Sequence, residues 1–269
     1  MKTTKLLTIG IGLLLSFPFV LNSQNKQVVP GQVESYIDRF ELRPSDKNAN
    51  GWAHYYIPKG MGDTLTVKMS CVYIGTQTHA PHTHKEDEAF YIVRGPVNFH
   101  INGVERVLNT GDFVYTPSGS SHNIQRVNET DTIKYLVLKR ETLKAVDQPY
   151  RVAKPDYVMD DCCTYPARHP QWTDPRREAS LVLLDKNFAA GFQVVMHRVT
   201  KNSRVFQNEK PRQPGQLALY ILEGEADISL DGQIAQLTAD NTLYCPRNSV
   251  YTLKKRGNAP LLFLSITTE

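Results

Sequence analysis

Four side chains in the first half of the sequence have the types and spacing of a metal site. His82 and His84 are two residues apart, so on a β-strand both imidazole rings point to the same face. Glu88 begins the next strand after a short polar connection, and His122 follows in a later strand. Three imidazoles and one carboxylate bind a borderline divalent ion and leave positions open for water or substrate. We therefore predict a metal site formed by these four residues, with satisfied core or surface histidines as the alternative.

Polar residues near the predicted metal site are candidates for catalysis. Arg94 has the same strand parity as Glu88 and would point inward to hold a carboxylate or phosphate, unless it is a solvated rim residue. His79 lies in a loop before the histidine pair and would act as an acid or base, with an exposed loop histidine as the alternative. Tyr115 is the third candidate. The other polar residues of this stretch are His100, a further candidate, and Glu86 and Asp87, which we interpret as a solvated acidic turn.

The elements that must position these residues are β-strands. Beyond residue 60 the sequence consists of short runs rich in Val, Ile, Tyr, Phe and Leu, separated by Gly, Asn, Asp or Pro. Two stretches match at a constant offset of 129 residues. Residues 89–95 (AFYIVRG) match 218–224 (ALYILEG), Asn102-Gly103 matches Asp231-Gly232, and Pro117 matches Pro246. Agreement of glycines, a hairpin turn and a proline in one register indicates a duplicated domain.

Each copy is predicted to be a series of antiparallel hairpins. In the first copy a strand ends at Gly95, a second strand alternates Val97, Phe99 and Ile101, and Asn102-Gly103 makes a type I′ turn. Such strands are typical of jelly-roll barrels, so we predict an all-β protein of two tandem jelly-roll β-barrels. The predicted divisions are residues 24–60 as an N-terminal arm that pairs with either barrel, 61–145 as the first barrel, 146–180 as a proline-rich connection and 181–269 as the second barrel.

The second copy lacks the predicted metal ligands. At the offset of 129, the positions of His82, His84, Glu88 and His122 are occupied by Pro211, Gln213, Leu217 and Tyr251. We therefore predict that the second barrel holds no metal and contributes stability, a dimer surface or a wall of the pocket. The alternative is a small-molecule site in the second barrel, lined by Gln193, His197, Arg198 and Tyr251.

The N-terminus has the pattern of a secretory signal peptide. Lys2 and Lys5 precede an apolar run over residues 6–21, and a small polar stretch follows near Ser23. The run contains Pro18 and is shorter than the roughly 20 residues that span a membrane. We predict that residues 1–23 are removed, that the protein is periplasmic or secreted, and that it has no membrane contact after cleavage. An uncleaved signal anchor is the alternative.

Composition and cysteine content exclude several classes of protein. Charged residues make up 22% and hydrophobic residues 41% of the chain, which excludes a disordered or collagen-like protein. The net charge of +4 is dispersed, so no nucleic-acid partner is expected. The four cysteines, at positions 71, 162, 163 and 245, have no metal-type pair spacing. We expect buried free thiols, with one long-range disulfide as the alternative.

The pattern of metal ligands resembles the cupin superfamily. The first cupin motif is matched by Gly75, His82, His84, Glu88 and Gly95, and the second by Gly111, Pro117, Gly119 and His122. Gly75 is one residue further from His82 than is usual, and Arg126 stands where the second motif ends in Asn. The resemblance implies a two-barrel cupin, or bicupin, with one divalent ion inside the first barrel. The ion would be manganese, iron, zinc, nickel, cobalt or copper.

The resemblance leaves three functions open. The first is an exported metalloenzyme of the isomerase or lyase type, acting on a small hydroxylated or carboxylated molecule such as a sugar derivative. The second is a dioxygenase or decarboxylase of the flavonol or oxalate type. The third is a non-catalytic binding or storage protein with a structural metal. In each, the expected partner is a small molecule, and the second barrel offers a surface for a homodimer.

Overall fold

The fold is built almost entirely from antiparallel β-strands. The computed structural model describes residues 32–48, 50–57, 64–76, 78–83, 85–140, 159–186, 192–201, 205–207 and 215–268. The strands up to the connection are β1 (Ile37–Arg39), β2 (Lys47–Asn48), β3 (Gly51–Ile57), β4 (Leu65–Val72), β5 (Asp87–Arg94), β6 (Val97–Ile101), β7 (Val104–Leu108), β8 (Phe113–Thr116), β9 (His122–Arg126), β10 (Ile133–Arg140) and β11 (Cys163–Thr164). The later strands are β12 (Ala179–Leu184), β13 (Phe192–Val199), β14 (Val205–Gln207), β15 (Leu217–Glu223), β16 (Glu225–Leu230), β17 (Gln233–Thr238), β18 (Asn241–Cys245), β19 (Tyr251–Arg256) and β20 (Leu261–Thr268). The helical pieces are short: 3-10 turns at Val33–Tyr36, Pro44–Asp46 and Pro166–Arg168, and one α-helical turn, α1, at Met159–Cys162.

Each barrel is made from one large and one small sheet. In the first barrel the large sheet has the order β11-β8-β5-β10-β4-β3-β2 and the small sheet the order β7-β6-β9. In the second barrel the corresponding orders are β1-β18-β15-β20-β13-β12 and β14-β19-β16-β17. The run from β5 to β10 is thus repeated, strand for strand, from β15 to β20. The predicted all-β fold of two tandem jelly-roll barrels is confirmed.

The hairpin turns of the two copies have the same backbone geometry. Asn102 and Gly103 have φ values of 48° and 83°, and Asp231 and Gly232 have values of 50° and 85°. Positive φ at both central residues is the requirement of a type I′ turn, which matches the twist of the flanking strands. The repeated Asn-Gly and Asp-Gly pairs therefore set the register of β6 against β7 and of β16 against β17.

Three hydrophobic cores hold the molecule together. One fills the first barrel, with Phe90, Ile92 and Phe99 among its members, and a second fills the other barrel. The third lies between the two large sheets, where Met69 and Leu136 of the first barrel share a cluster with Leu264 of the second. All three of these side chains are fully buried. The large sheets therefore have apolar residues on both faces.

The N-terminal arm joins both barrels. Strand β1 pairs with β18 of the second barrel, with Ile37 opposite Leu243. Strands β2 and β3 instead extend the large sheet of the first barrel through β4. The predicted arm of residues 24–60 therefore contributes strands to both barrels. Strand β12 begins at Ala179, two residues before the predicted start of the second barrel.

Several predicted features concern residues outside the described part of the chain. The signal peptide, residues 1–23, and the start of the connection fall outside it. Among the described residues, no helix has the length and apolar character to cross a membrane. All four cysteines are described and all are free thiols, three of them buried. This confirms the expectation of free thiols over a disulfide.

Candidate metal centre

A cavity of about 390 Å³ lies inside the first barrel. Both sheets contribute to its walls, because β3, β4, β5 and β10 come from the large sheet and β9 from the small one. Phe90 and Val137 supply apolar surface. The polar side chains that line it include Asn50, Lys68, His79, His82, Glu88, His122, Asn123 and Lys139.

Backbone pairing brings His82 next to His122. The N–H group of each residue donates to the carbonyl oxygen of the other, at 3.1 and 2.9 Å, which forms an isolated antiparallel bridge. The two ring centroids are 4.9 Å apart. This bridge explains how a loop histidine and a strand histidine, 40 residues apart in the sequence, meet in one place.

Both imidazole rings are fixed in the same tautomer. His82 Nδ1 lies 2.9 Å from the carbonyl oxygen of Ala80, and His122 Nδ1 lies 3.0 Å from that of Ser120. A carbonyl oxygen can only accept a hydrogen bond, so Nδ1 must carry the proton in both rings. In each neutral ring Nε2 then holds the lone pair, which is the arrangement that metal-binding histidines adopt.

Glu88 is buried beside these rings, with only 3% of its surface exposed. Its Oε2 atom is 2.8 Å from His122 Nε2, and its Oε1 atom is 2.9 Å from Lys139 Nζ. A carboxylate oxygen and an imidazole lone pair repel each other at this distance unless a proton or a cation is shared between them. The donor chemistry of His82, Glu88 and His122 therefore fits a cation.

The fourth predicted ligand, His84, lies outside the described residues. Within the described part of the chain, no group of three or more His, Cys, Asp and Glu side chains is arranged to hold a metal ion. The four-residue metal site therefore stays a prediction, which the proximity of His82, Glu88 and His122 supports and which depends on His84.

Two loops are tied to the strands that carry the candidate ligands. The Ser118 N–H group donates to Asp87 Oδ1 at 3.0 Å, and the Ser118 hydroxyl donates to the Lys85 carbonyl at 2.6 Å. Asp87 is therefore a half-buried residue that orders the turn before His122, and its predicted role in a solvated acidic turn is wrong. Glu86, its neighbour, is also only partly exposed.

Arg126, the departure from the second cupin motif, braces the loop that leads to the histidines. Its guanidinium donates to the carbonyl oxygens of Tyr73 and Thr76 at 2.7 and 3.0 Å. A hydrogen-bonded guanidinium thus links β9 to the turn that contains Gly75, whose φ is 80°. The unusual residue serves the loop, away from the candidate ligands.

His79 is an exposed loop residue, in keeping with the alternative given for it, and it also lines the cavity. Its ring centroid is 5.7 Å from that of His82, and its Nδ1 atom is 3.1 Å from the Asn50 amide nitrogen. Burial, followed by the nearby charge of Lys68, lowers the pKa of His79. A histidine with a lowered pKa is neutral at neutral pH and can accept a proton.

The other two predicted catalytic residues do not reach the cavity. Arg94 is exposed at the end of β5, beyond the residues that line the cavity, and corresponds to the rim alternative. Tyr115 is buried in the core between the barrels. It pairs with Ala89, the neighbour of Glu88, so it points to the opposite face of the sheet. His100, on β6, is also absent from the cavity lining and lies 3.7 Å from Glu105.

Two lysines in the cavity were not predicted from the sequence. Lys68 on β4 and Lys139 on β10 both line it. Burial lowers the pKa of Lys68, and the adjacent Lys139 lowers it further, while Glu88 acts in the opposite direction. The sequence signal is a lysine at an inward position of a strand that is otherwise uncharged and buried, LTVKMSCV, where a charge is costly to bury without a partner.

In the second barrel, the described positions that correspond to the candidate metal ligands hold residues that pack in or against the hydrophobic core. Leu217, at the position of Glu88, is buried in the barrel core, and Tyr251 packs against that core. Pro211 and Gln213 lie outside the described residues.

The residues of the alternative site in the second barrel have structural partners. The ring nitrogens of His197 lie 2.9 Å from the hydroxyl groups of Ser180 and Ser265. Arg198 is buried, donates to the Trp172 and Asp174 carbonyls and stacks on the Trp172 ring. Gln193 is partly buried on β13. Both His197 and Arg198 are thus engaged in holding the fold.

Comparison with known families identifies the part of the chain that contains the cavity. Residues 69–139 match the family model of the Cupin domain. The first barrel is a cupin domain. The resemblance drawn from its two motifs is confirmed.

A curated relative matches the same kind of domain. An oxalate-binding protein from Thermotoga maritima is 41% identical over 51 residues, which are 19% of this chain. The match spans 42% of that relative's length. It therefore establishes similarity over one segment only.

Solved structures resemble the chain over both barrels. They include salicylate 1,2-dioxygenase from Pseudaminobacter salicylatoxidans (TM-score 0.60, 12% identity, 80% of this chain and 76% of that one). A variant of oxalate decarboxylase from Bacillus subtilis has a TM-score of 0.61 and 15% identity over 87% of this chain and 77% of that one. Protein Ylba from E. coli has a TM-score of 0.60 and 11% identity over 81% of this chain and 82% of that one. At these identities the likeness shows that the cupin domain and the second barrel share the fold of these proteins.

Proposed function

We propose that the first barrel binds one divalent metal ion through His82, His84, Glu88 and His122. The observation that carries the proposal is the shared tautomer of His82 and His122, whose Nδ1–H groups are held by backbone carbonyls. This leaves Nε2 as the ligating atom of each ring, and the Nε2 atom of His122 already lies against Glu88. Manganese, iron, zinc, nickel, cobalt and copper all accept such a ligand set.

We further propose that the protein is an exported metalloenzyme that acts on a small hydroxylated or carboxylated molecule. A bound ion would supply a Lewis acid that polarises a hydroxyl or carbonyl oxygen of the substrate. The cavity volume of about 390 Å³ suits a small molecule. His79, in the cavity wall beside Asn50, is placed to accept a proton, and Lys139 holds the Glu88 carboxylate in position.

Metal analysis of the purified protein tests the metal proposal. We expect about one equivalent of divalent metal in the wild type, and a loss of most of it in His82→Ala, Glu88→Gln and His122→Ala. His169→Ala is the matched control, because His169 lies in the connection away from the cavity lining. Full metal content in the three cavity variants would overturn the proposal.

Export is tested by the mass of the mature protein. Removal of residues 1–23 should leave an N-terminus near Gln24 in protein isolated from the periplasm or medium. Recovery of the full-length chain from the membrane fraction would instead favour the uncleaved anchor.

Two alternative functions have support from the similar proteins. The structural likeness to a dioxygenase and a decarboxylase favours an oxygen-dependent or decarboxylating enzyme, whereas the oxalate-binding relative favours a binding protein. Fold likeness alone does not choose among them. Turnover that stops when oxygen is removed would identify the first alternative. Stoichiometric ligand binding without any product would identify the second.

A further inference from the structure

The cavity of the first barrel contains more positive than negative side-chain charge. Among its described lining residues Glu88 is the one acid, whereas Lys68 and Lys139 are both basic. Glu88 is already engaged by Lys139 and His122. A divalent ion at the proposed site would increase the positive charge further.

Lys68 is the cation in this cavity that lacks an anionic partner. Within the described residues, its Nζ atom takes part in no hydrogen bond or ion pair. It lies over the Tyr55 ring, 5.7 Å from the ring centroid. Lys68 is partly buried. An ammonium group that loses part of its hydration is normally paired with an anion. An anion that enters the cavity would supply the missing partner.

The sheet places Lys68 at a distance from Glu88 that a small molecule can span. Glu88 lies opposite Lys139 on β10, and Val137 on the same strand lies opposite Lys68 on β4. Residues directly opposite each other share a face, so all of these side chains point into the barrel. Two strand spacings and an offset of two residues along the strands separate Glu88 from Lys68, or about 12 Å between their backbones.

We propose that Lys68 is the anion-binding residue of the cavity and that the ligand is a small carboxylate. The carboxylate group pairs with Lys68, while the remaining oxygen functions of the molecule lie toward His82 and His122. This inference rests on the proposed function and narrows its substrate class. A carboxylate group fits Lys68 better than a phosphate group, because a carboxylate carries one negative charge to match one ammonium group, whereas a phosphate places nearly two charges on a single group.

Calorimetric titration with malonate tests the inference. The probe is compared with malonamide, which has a similar size and no charge, on protein loaded with Mn²⁺. We expect malonate to bind the wild type and to bind Lys68→Met about tenfold to hundredfold more weakly. This is the change in affinity that the loss of one charge-assisted hydrogen bond causes. Lys68→Arg should keep affinity within about fivefold, and malonamide should not distinguish the variants.

A surface variant controls for the loss of a charge. Lys254→Met removes an exposed lysine from the second barrel and should leave malonate binding unchanged. If Lys68→Met does not fold, Lys68→Gln serves in its place. Equal malonate affinity in the wild type and the uncharged Lys68 variants would overturn the inference, as would no binding to the wild type or a preference for inorganic phosphate over malonate.

Titration of the metal-free protein separates this inference from the metal proposal. If the wild type takes up no metal but malonate binding still depends on Lys68, the role of Lys68 would stand and the metal site would be overturned. A full metal content in Lys68→Met, together with unchanged malonate affinity, would support the metal site and overturn the role of Lys68.

Discussion

Glu88 is a buried carboxylate with two partners of different character. Lys139 contacts one oxygen and His122 the other, and the Lys139 side chain is only 19% exposed. Removal of one partner from a buried ion pair leaves a charge that water cannot solvate. The ammonium group of Lys139 therefore stabilises the carboxylate whether or not a metal is bound.

We expect Lys139→Met to lower the free energy of unfolding by about 3 kcal/mol in the presence of a chelator. Urea unfolding measures the change, and added Mn²⁺ should reduce it because the ion becomes a second partner for Glu88. The control is Lys134→Met, whose carboxylate partner Asp240 is 38% exposed and can be solvated by water, so that its loss should cost no more than about 1 kcal/mol. Equal losses in the two variants would contradict this account.

Asp112 and Asn241 occupy equivalent positions in the two copies, and each accepts a hydrogen bond from the backbone N–H group three residues earlier. The Asn109 N–H group donates to Asp112 Oδ2 at 2.7 Å, and the Thr238 N–H group donates to Asn241 Oδ1 at 2.9 Å. Burial is the main cause that raises the pKa of Asp112. The folded protein therefore favours the protonated form, and ionisation destabilises the fold at pH values above the raised pKa.

We expect Asp112→Asn to stabilise the protein at pH 7 by up to about 1 kcal/mol. The gain should disappear as the pH falls below the unfolded pKa of an aspartate, since Asp112 is then protonated in both states. Urea midpoints at pH 7 and pH 3 measure the effect, and the reverse change Asn241→Asp should destabilise at pH 7. A gain that is independent of pH would show that charge is not its cause.

At the scale of single residues, the sequence predicted which residues form the candidate metal site better than it predicted which other side chains reach the cavity. The spacing of His82, Glu88 and His122 was enough to predict that they lie close together. Strand parity and turn motifs can be read from short stretches of sequence. Parity failed for Arg94, since a residue of the correct face can still lie beyond the end of the cavity. Tyr115 failed because its strand has buried residues on both faces, and the core between the barrels has no separate sequence pattern.

The strand β1 is an element whose partner lies far away in the sequence. Ile37 is 1% exposed and belongs to the core of the second barrel, although it precedes the whole first barrel. Short hairpins were predictable from Asn-Gly and Asp-Gly pairs. The pairing of β1 with β18 was not, because it depends on where the two barrels lie and not on any local signal.

We expect Ile37→Ala to lower the free energy of unfolding by about 2–4 kcal/mol, as for other large-to-small changes in a core. Amide hydrogen exchange should show the loss of protection first in β18, the partner of β1. Leu42→Ala is the control, since Leu42 is half exposed and outside any strand. Loss of protection confined to β3 and β4 would contradict the assignment of β1 to the second barrel.

At the scale of the whole molecule, the two barrels share a core and buried hydrogen bonds. The Gln216 side chain accepts from the Leu65 N–H group at 3.2 Å and donates to the Tyr244 hydroxyl at 2.7 Å. Met69 and Leu264 lie fully buried in the cluster between the large sheets. Separation of the barrels would expose this cluster to water. Each barrel therefore depends on the other for its stability.

We expect one cooperative unfolding transition for both barrels. Scanning calorimetry should give a ratio of calorimetric to van't Hoff enthalpy close to one. Leu264→Ala, in the shared core, should lower the single midpoint without splitting the peak. Two transitions in the wild type would contradict the shared core as the main link between the barrels.

The pairing of β1 with β18 also orders events during synthesis. Ile37 and its partner Leu243 are about 200 residues apart, so β1 leaves the ribosome long before its partner exists. At rates of about 5–20 residues per second, it waits for roughly ten to forty seconds. The strands β4 to β10 are all made before β18, so the strands of the first barrel have their partners before β1 has its own. The first part of the arm to be made is therefore among the last to reach its native place.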